Sequence, residues 1–429
     1  MQGGFTKEIA IPGSKSFTNR ALILAAAAHG TSRLRSPLFS DDSYWCLQAL
    51  SKLGVRCRAD RDNNLIEIEG IGGGRLTVRD TDDPPYIGSA GTIARFLPGV
   101  IAARGEGAVT LHASSQLARR PVSPMIDALR TLGADIDMPD DASFPMTVRG
   151  GTLQGGEVRI SGAKSSQFIS GLLIAAPLAQ QPVTIIIPDH IVQADYVRIT
   201  LELMEQFGVR VEHDDGLREF HVVPQPYQAV DTALEADAST STYFFALAAA
   251  TRSTVTVTNL NPDTHQPDFG FVRHLETLGC EVTTQGTRIT VRGPDTLSGD
   301  KIFNFNDCSD STPALAGIAP FADGPIKVEG VAHIRAHESD RISVMHDTLK
   351  GAQVPVIEYE DGLLITPQEG KPEHVVVDPH DDHRMAMAFS IMAAAGKGAT
   401  ITDPACVSKT CSDFYELLRG MGVPLTINE

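Results

Sequence analysis

Cationic and hydroxyl side chains collect in short clusters along the whole chain. Three of these clusters stand directly before apolar helical runs, at Pro12–Ser16, Gly88–Thr92 and Ser165–Phe168. The first N–H groups of a helix have no partner inside the helix, and together with the helix dipole they favour a bound anion. Each segment, taken alone, is also typical of ordinary helix capping. Pro12–Ser16 lacks the GxxxxGK[ST] spacing of a nucleotide P-loop, so it does not predict a nucleotide site.

Four further clusters carry arginine, lysine, histidine and carboxylate side chains, at Arg119–Pro121, His333–Arg341, Asp381–Met387 and Lys409–Thr410. Arginine binds carboxylate or phosphate with two parallel hydrogen bonds, and lysine acts as a point charge. A pair of anionic substrates would need cations of this kind, and the sequence supplies Lys15, Arg20, Arg120, Arg341, Arg384 and Lys409. Carboxylates among these cations, Asp310 and Glu338, are then candidates for proton transfer.

The histidines of these clusters could suggest a metal site, and His333 and His337 do stand four residues apart. Arg335 and Arg341 flank them, however, and the HExxH pattern is absent. No metal site is therefore predicted. A solvent-exposed charged face is the alternative interpretation of residues 337–341.

Composition limits the class of protein. The 429 residues carry a net charge of −17, and 42% of them are hydrophobic. A nucleic-acid surface needs a basic face, so no nucleic-acid partner is predicted. Small anionic substrates are not excluded, because a local cluster of Lys and Arg in a cleft focuses positive potential inside an acidic protein. The six cysteines form no CxxC pair, and no segment resembles a signal peptide or a membrane span, which predicts a cytoplasmic protein with reduced thiols.

A repeated pattern positions the clusters. A helical run ends at a glycine and an alternating strand follows, six times at a spacing of about 70 residues. A glycine at this place is typical of a helix C-cap in the left-handed conformation. The proposed turn glycines are Gly54, Gly133, Gly208, Gly279, Gly351 and Gly422, and the fifth copy is the weakest. The period is too long for an ordinary solenoid, so the repeats predict two domains of three α/β units each. The segment 224–230 is the best candidate for a crossover between domains.

The clusters, taken together, resemble the enolpyruvyl transferase family in order and spacing. The motifs are PGSKS with NRAL, GSAGT, RRP, SSQF, the aspartate of CSDSTPAL, ESDR, DHRMAM and the late KT. The resemblance covers essentially the whole chain, and SSQF, PGSKS and KT are similar to the shikimate-pathway branch. The branch that acts on UDP-N-acetylglucosamine carries a reactive cysteine before its Arg-Pro, where this chain reads HASSQLARRP.

The resemblance implies an α/β fold of two similar domains, each of three βαβαββ units around parallel helices, an inside-out α/β barrel with six repeats in total. The expected domains are 1–13 plus 236–429, which is discontinuous, and the inserted 14–235. The active site is expected in the cleft between domains that close on substrate. The implied reaction joins phosphoenolpyruvate to the 5-hydroxyl of shikimate 3-phosphate by addition and elimination, without a cofactor, in a monomer that glyphosate inhibits.

Site residues follow from the resemblance position by position. Lys15, Asp310 and Glu338 are the expected catalytic residues. Ser16 and Arg20 match the start of the substrate site, and Ser165, Ser166, Gln167 and Tyr196 match the surroundings of the shikimate ring and its phosphate. Gly91, Arg120, Arg341, Arg384 and Lys409 match the phosphoenolpyruvate site. The predicted substrate-binding set also contains Ser89, Thr92, His333, His337 and His383.

The chain departs from the family pattern at a few positions. Ser89, Gln193 and His337 stand where many members have Asn, Ser and Lys, and Phe96 stands where Pro is frequent. These departures keep open a paralogue that acts on another hydroxyl acceptor, such as a nucleotide. A binding protein without activity is disfavoured by the presence of all the catalytic positions. An RNA-phosphate cyclase relative is disfavoured by the net charge and the absent nucleotide motif.

Overall fold

The computed structural model describes residues 4–78, 80 and 82–426. The outer ends of the predicted domain 1–13 plus 236–429 therefore lie outside the described residues. The chain divides into two compact units. The terminal unit comprises Met1–Pro12 with Glu235–Glu429, and the inserted unit comprises Gly13–Leu234. The chain thus passes between the units at Leu234, beyond the segment 224–230 that the sequence suggested, which lies inside the inserted unit.

The α-helices of the described residues, in chain order, are α1 (Lys15–Ala27), α2 (Asp41–Lys52), α3 (Gly91–Arg104), α4 (Ser115–Ala118), α5 (Ser123–Thr131), α6 (Ser166–Ala175), α7 (Asp195–Gln206), α8 (Ala238–Thr251), α9 (Phe271–Thr277), α10 (Thr312–Ile318), α11 (Arg341–Gly351), α12 (His383–Ala395) and α13 (Phe414–Gly420). Among these residues, every helix is too short or too polar to span a bilayer.

The β-strands are β1 (Thr6–Ile9), β2 (His29–Arg35), β3 (Arg56–Asp60), β4 (Leu65–Ile71), β5 (Ala108–Leu111), β6 (Asp135–Asp137), β7 (Met146–Arg149), β8 (Gly156–Arg159), β9 (Val183–Ile186), β10 (Glu212–His213), β11 (Glu219–Val222), β12 (Asp231–Ala233), β13 (Thr254–Val257), β14 (Glu281–Gln285), β15 (Arg288–Arg292), β16 (Lys301–Asn304), β17 (Ile326–Glu329), β18 (Val356–Tyr359), β19 (Gly362–Ile365), β20 (Val375–Val377) and β21 (Ala399–Ile401).

The repeating unit is clearest in β16-α10-β17-α11-β18-β19 and in β8-α6-β9-α7-β10-β11. In each, the first two strands are parallel and the second pairs antiparallel with the last. Two of the repeats take their first strand from a segment that is distant in the sequence; these are called borrowed strands. β12 pairs parallel with β2, and β1 pairs parallel with β13. Both borrowed strands directly precede the points where the chain passes from one unit to the other.

Each unit has a hydrophobic core of its own, built around three helices that are buried on nearly all sides. These helices are α1, α3 and α6 in the inserted unit and α8, α10 and α12 in the terminal unit. In the inserted unit α3 packs against both α1 and α6, and in the terminal unit the three helices pack against one another. A helix that is apolar all round must be buried in this way, which explains runs such as ALILAAAA at Ala21–Ala28.

In five of the six repeats, the second helix ends at the glycine that the pattern predicts. Gly54 has φ 91°, its N–H bonds to the Ser51 carbonyl, and the Val55 N–H bonds to the Leu50 carbonyl. This pair of bonds is a Schellman C-cap, which satisfies carbonyls left open at the helix end. The same pair recurs after α5, α7, α9, α11 and α13.

The prediction that Gly351 is the fifth turn glycine is wrong. Gly351 is the last residue of α11, and the left-handed position falls on Gln353, with φ 62°. The Gln353 and Val354 N–H groups make the two cap bonds, to the carbonyls of Lys350 and Leu349. The repeat is therefore intact, but a glutamine takes a conformation that glycine adopts with less strain.

Candidate active site

Many of the predicted site residues lie at the amino ends of the buried helices. In the inserted unit, Lys15 and Ser16 open α1, Gly91 and Thr92 open α3, and Ser166 and Gln167 open α6. Asn19 on α1 donates to Thr92 Oγ1 at 2.6 Å, which brings the starts of α1 and α3 together. Helix amino ends gathered in this way concentrate free N–H groups and partial positive charge, which suits an anionic ligand.

Arg20 lies inside the inserted unit and makes its hydrogen bonds to neutral groups. Its Nε donates to Thr200 Oγ1 at 2.7 Å, and its two terminal nitrogens donate to the carbonyls of Ser16 and Tyr196. The guanidinium also lies over the rings of Phe96 and Tyr196, at 5.1 and 5.9 Å from their centroids. Burial lowers the pKa of Arg20 to about 10. This arrangement fixes Arg20, as a cation, between α1, α3 and α7.

Gly91 and Arg120 meet at the start of α3. A Cβ at Gly91 would lie 2.8 Å from the Arg120 Nη1 atom and 3.2 Å from the Arg95 Nη1 atom. Arg95 is itself held by the carbonyls of Gly91 and Pro121. The absent side chain therefore lets two guanidinium groups approach the first turn of α3. Arg119, the other arginine of the RRP motif, is exposed.

The remaining predicted residues of the inserted unit lie on loops and caps. Ser89 and Ser114 share a hydrogen bond with their Oγ atoms 2.7 Å apart. Ser165 caps α6 by accepting from the Gln167 N–H at 3.3 Å, so the capping interpretation of SSQF holds for this residue. Tyr196 lies in the first turn of α7, where its carbonyl and ring both contact Arg20.

In the terminal unit, Arg341 forms the centre of an ionic network. Its side chain is 1% exposed, and its nitrogens donate to three carboxylates, each at 2.8 Å: Asp310, Glu338 and Asp382. The interpretation of residues 337–341 as a solvent-exposed face is therefore wrong for Arg341. Burial acts to lower the pKa of Arg341, but Asp382, Glu338 and Asp310 raise it above the ordinary value.

Asp310 links two arginines. One oxygen accepts from Arg341, and the other accepts from the Arg384 Nη2 atom at 2.9 Å. Burial would raise the pKa of Asp310, but Arg384 and Arg341 together hold it well below its usual range. Asp310 is therefore ionised at neutral pH and positioned by two charge-assisted hydrogen bonds.

The predicted histidines and lysine surround this network. His337 Nδ1 lies 3.2 Å from Arg341 Nη1, and His333 Nε2 lies 2.8 Å from Ser309 Oγ. Lys409 bonds to the carboxylate and the carbonyl of Asp381, at 3.0 and 2.8 Å. His383 is the first residue of α12 and is buried. The terminal unit thus brings together Asp310, Glu338, His337, Arg341 and Arg384. Lys409 is bonded to Asp381, which directly precedes Asp382 of the network.

Asp382 is a structural part of this network that the sequence interpretation did not select. It caps α12 by accepting from the Arg384 N–H at 3.0 Å, and it also binds Arg341 and Ser339. The carboxylate is fully buried. The signal for it was present, because an aspartate directly before a helical run is a common N-cap.

Comparisons with known proteins agree over nearly the whole length. A family model described as EPSP synthase (3-phosphoshikimate 1-carboxyvinyltransferase) matches residues 2–418. The chain is 45% identical over 416 residues to 3-phosphoshikimate 1-carboxyvinyltransferase 2 of Halalkalibacterium halodurans, covering 97% of this chain and 92% of that protein. It is 39% identical over 425 residues to the chloroplastic 3-phosphoshikimate 1-carboxyvinyltransferase of Arabidopsis thaliana, covering 96% of this chain and 81% of that protein.

Solved structures give the same result. An EPSP synthase from Acinetobacter baumannii superimposes with a TM-score of 0.82 at 25% identity, over 99% of this chain and 98% of that one. The enolpyruvyl transferase NikO from Streptomyces tendae superimposes with a TM-score of 0.78 at 14% identity, over 99% and 96%. The latter likeness shows the fold alone. The predicted fold class, two similar α/β domains in an inside-out barrel, is confirmed.

Proposed function

We propose that this chain, which belongs to the EPSP synthase (3-phosphoshikimate 1-carboxyvinyltransferase) family, transfers the enolpyruvyl group of phosphoenolpyruvate to the 5-hydroxyl of shikimate 3-phosphate and releases phosphate. The observation that carries this proposal is the match of the family model over residues 2–418, a range that contains every predicted site residue. The predicted class of enzyme, a transferase of the shikimate pathway, agrees with this membership. A nucleotide-acting paralogue is not favoured, because the relatives at 39–45% identity carry the name 3-phosphoshikimate 1-carboxyvinyltransferase.

The anionic substrates meet cations that the fold holds in place before binding. Arg384 is oriented by Asp310, Lys409 by Asp381, and Arg120 lies over Gly91 at the start of α3. A guanidinium that is already oriented loses less conformational freedom when it binds phosphate or carboxylate. We assign Arg120, Arg384 and Lys409 to phosphoenolpyruvate. Arg341 is bonded to three carboxylates, so we assign it to holding Asp310 and Glu338 next to the ligand.

The proton-transfer roles follow from the same network. We assign Asp310 to the 5-hydroxyl, because an ionised and oriented carboxylate can accept the proton as the oxygen attacks C2 of phosphoenolpyruvate. Glu338 Oε2 accepts from Arg341 Nη2 at 2.8 Å. We assign Glu338 to take up a proton from solvent before the reaction and to pass that proton to C3 as the hydroxyl oxygen attacks C2. The resulting ketal then loses phosphate, aided by Lys15 at the start of α1, and returns the C3 proton. In the first step the hydroxyl O–H bond breaks, the C2–O and C3–H bonds form, and the C2=C3 double bond becomes single. In the second step the C2–O bond to phosphate and the C3–H bond break, the double bond forms again, the C3 proton returns to Glu338, and the proton on Asp310 leaves with the phosphate.

The wider assignments are also proposals. We propose the domains 1–13 plus 236–429 and 14–235, and the two compact units support this division to within one residue. We propose that the protein is a cytoplasmic monomer that binds small molecules and no nucleic acid. The net charge of −17 supports the last point.

Phosphate release from phosphoenolpyruvate tests the function. We expect release only when shikimate 3-phosphate is present, in equal amounts with the carboxyvinyl product. Asp310→Asn serves as the matched control, since it keeps the shape of the residue and removes its charge. Release that is equal with and without shikimate 3-phosphate, or release only with a different hydroxyl acceptor, would contradict the proposal.

A further inference from the structure

A buried carboxyl group lies beside the ionic network and has no role in the reaction described above. Asp268 stands in the 3-10 turn Pro267–Gly270 and is 1% exposed. Its Oδ2 atom accepts a hydrogen bond from Ser239 of α8. Its Oδ1 atom is buried and has no hydrogen-bond partner within residues 4–78, 80 and 82–426. Burying an ionised carboxylate costs free energy unless hydrogen bonds or opposite charges compensate it. The hydrogen bond from Ser239 compensates Asp268 only in part.

The surroundings of Asp268 connect it to Asp310 and Arg384. The turn Pro267–Gly270 packs against α8 and against the turn Ser309–Ser311, which carries Asp310. The titratable groups that face Asp268 are Asp237 at the start of α8, Cys308 and Asp310 on the neighbouring segment, and Arg384 from α12. His274 of α9, which packs on the same turn, faces Cys308 with 3.5 Å between its Nε2 and the sulfur. Of these four groups that face Asp268, Arg384 is the cation, and it also donates to Asp310 at 2.9 Å.

The charge of this group changes in the neutral range. Burial raises the pKa of Asp268 to about 7, Asp310 and Asp237 add to the increase, and Arg384 opposes it. Asp310, in contrast, stays ionised because two arginines donate to it. When Asp268 loses its proton, a second negative charge therefore appears beside Arg384 in a region without direct access to solvent.

We propose that Asp268 is a positioning residue that sets the charge balance around Arg384, so that phosphoenolpyruvate binds tightly when Asp268 is neutral and weakly when it is ionised. The inference rests on the proposed function, because it takes Arg384 as a contact of phosphoenolpyruvate. Asp268 acts through Arg384 and does not itself touch the ligand. A carboxylate whose negative charge acts on Arg384 opposes the binding of an anion to that guanidinium, and at the effective dielectric of a protein interior such a charge changes affinity by about tenfold.

The first test compares the pH dependence of phosphoenolpyruvate binding in three proteins: the unchanged chain, Asp268→Asn and Asp263→Asn. Asp263 is an exposed aspartate of the same segment, so its variant removes an equal charge at the surface. We expect the ratio of KM values, unchanged chain over Asp268→Asn, to rise about tenfold between pH 5.5 and pH 8.5, with a much smaller change in kcat. The titration of phosphoenolpyruvate itself cancels in this ratio. Asp263→Asn should show a flat ratio.

The second test needs no turnover. An acid whose pKa is raised by folding stabilises the folded state fully below its unfolded pKa of about 4, and this stability is lost as the pH rises through the folded pKa. Between pH 4.5 and pH 6.5, urea unfolding of the unchanged chain should therefore release about one proton more than that of Asp268→Asn. Ser239→Ala removes a hydrogen-bond donor to the Asp268 carboxylate. It should therefore move the pH dependence of KM and that of proton release on unfolding to higher pH. This variant provides the test if Asp268→Asn does not fold.

The outcomes separate this inference from the proposed function. Calorimetric titration with phosphoenolpyruvate gives the affinity without turnover. An unchanged chain that shows no turnover, yet loses affinity with rising pH only when Asp268 is present, would refute the proposed function and support the inference. A KM or affinity ratio that stays flat with pH, or equal proton release on unfolding of the two proteins, would overturn the inference.

Discussion

The substitution Gly91→Ala tests how closely Arg120 approaches the first turn of α3. The added Cβ would lie 2.8 Å from the Arg120 Nη1 atom, whereas ordinary contacts begin at 3.4 Å. The guanidinium must therefore retreat by about 0.6 Å, which it can do because it is the end of a flexible side chain. Gly91 has an ordinary helical backbone, so the methyl group introduces no strain of its own.

The expected result is a specific loss of phosphoenolpyruvate binding in a protein that remains folded. A charge-assisted hydrogen bond contributes about 1.5–3 kcal/mol, and a displacement of this size weakens the contact without removing it. We therefore expect KM for phosphoenolpyruvate to rise about five- to tenfold. The free energy of unfolding should change by less than about 1 kcal/mol, because alanine favours the helix over glycine by about that amount. Competitive inhibition by glyphosate should be relieved in the same variant.

Steady-state kinetics with urea unfolding of the same preparations provide the assay. Gly420→Ala is the matched control, since a Cβ on this helical glycine meets no atom within 4 Å. An unchanged KM in folded Gly91→Ala would refute the placement of Arg120 at the phosphoenolpyruvate site. An equal rise in Gly420→Ala would show that the effect is not specific to Arg120.

Four further substitutions address the ionic network and the lysine beside it. Asp310→Asn and Glu338→Gln should lower kcat by about 10²–10⁴ while substrate binding survives, and full turnover by folded Glu338→Gln would remove that residue from the mechanism. Lys409→Ala should raise KM for phosphoenolpyruvate by about tenfold, which kinetics beside an alanine variant of the exposed Lys397 would check. Arg341→Ala should lower the free energy of unfolding by about 3–5 kcal/mol in urea unfolding, because the fully buried Asp382 and the partly buried Asp310 and Glu338 lose their shared cation, and a loss below about 1 kcal/mol would contradict this. The pKa of Asp310 is lowered by folding, so its contribution to stability is complete above about pH 4 and is lost as the pH falls towards the folded value, a slope that Asp310→Asn should remove.

The repeat pattern shows how much of the fold could be predicted from local signals. A helix that ends in Leu-Gly-Val marks a Schellman cap, because the cap needs one left-handed residue followed by an apolar one. Five of the predicted glycines occupy that position, from Gly54 to Gly422. The prediction for the fifth copy is wrong, because Gln353 takes the left-handed conformation and a glycine stands two residues earlier. A residue that tolerates an unfavourable φ leaves no signal in the sequence.

The borrowed strands show where local signals end. The pairing of β1 with β13 joins residues nearly 250 positions apart, as in Thr6 opposite Thr254. Nothing near Thr6 in the sequence indicates that partner, because the register of a parallel pair depends on the core that both strands cover. The six repeats and the order of their helices could thus be predicted from the sequence. The strand that completes the first repeat of each compact unit could not.

The sequence by itself determined which chemistry is available and at which ends of which helices it stands. Glycine, serine and lysine before an apolar run give a helix amino end whatever the rest of the chain does, because capping and the exposed N–H groups are local properties. Only the tertiary structure decided which charges meet. Arg341 binds Asp310 and Asp382, which lie 31 and 41 residues away, and these partners keep it ionised inside the protein. The pKa of Asp268 is raised to about 7 for the same reason. The free energy of a buried charge depends on its desolvation and on its neighbours in space, and the order of residues in the chain gives neither.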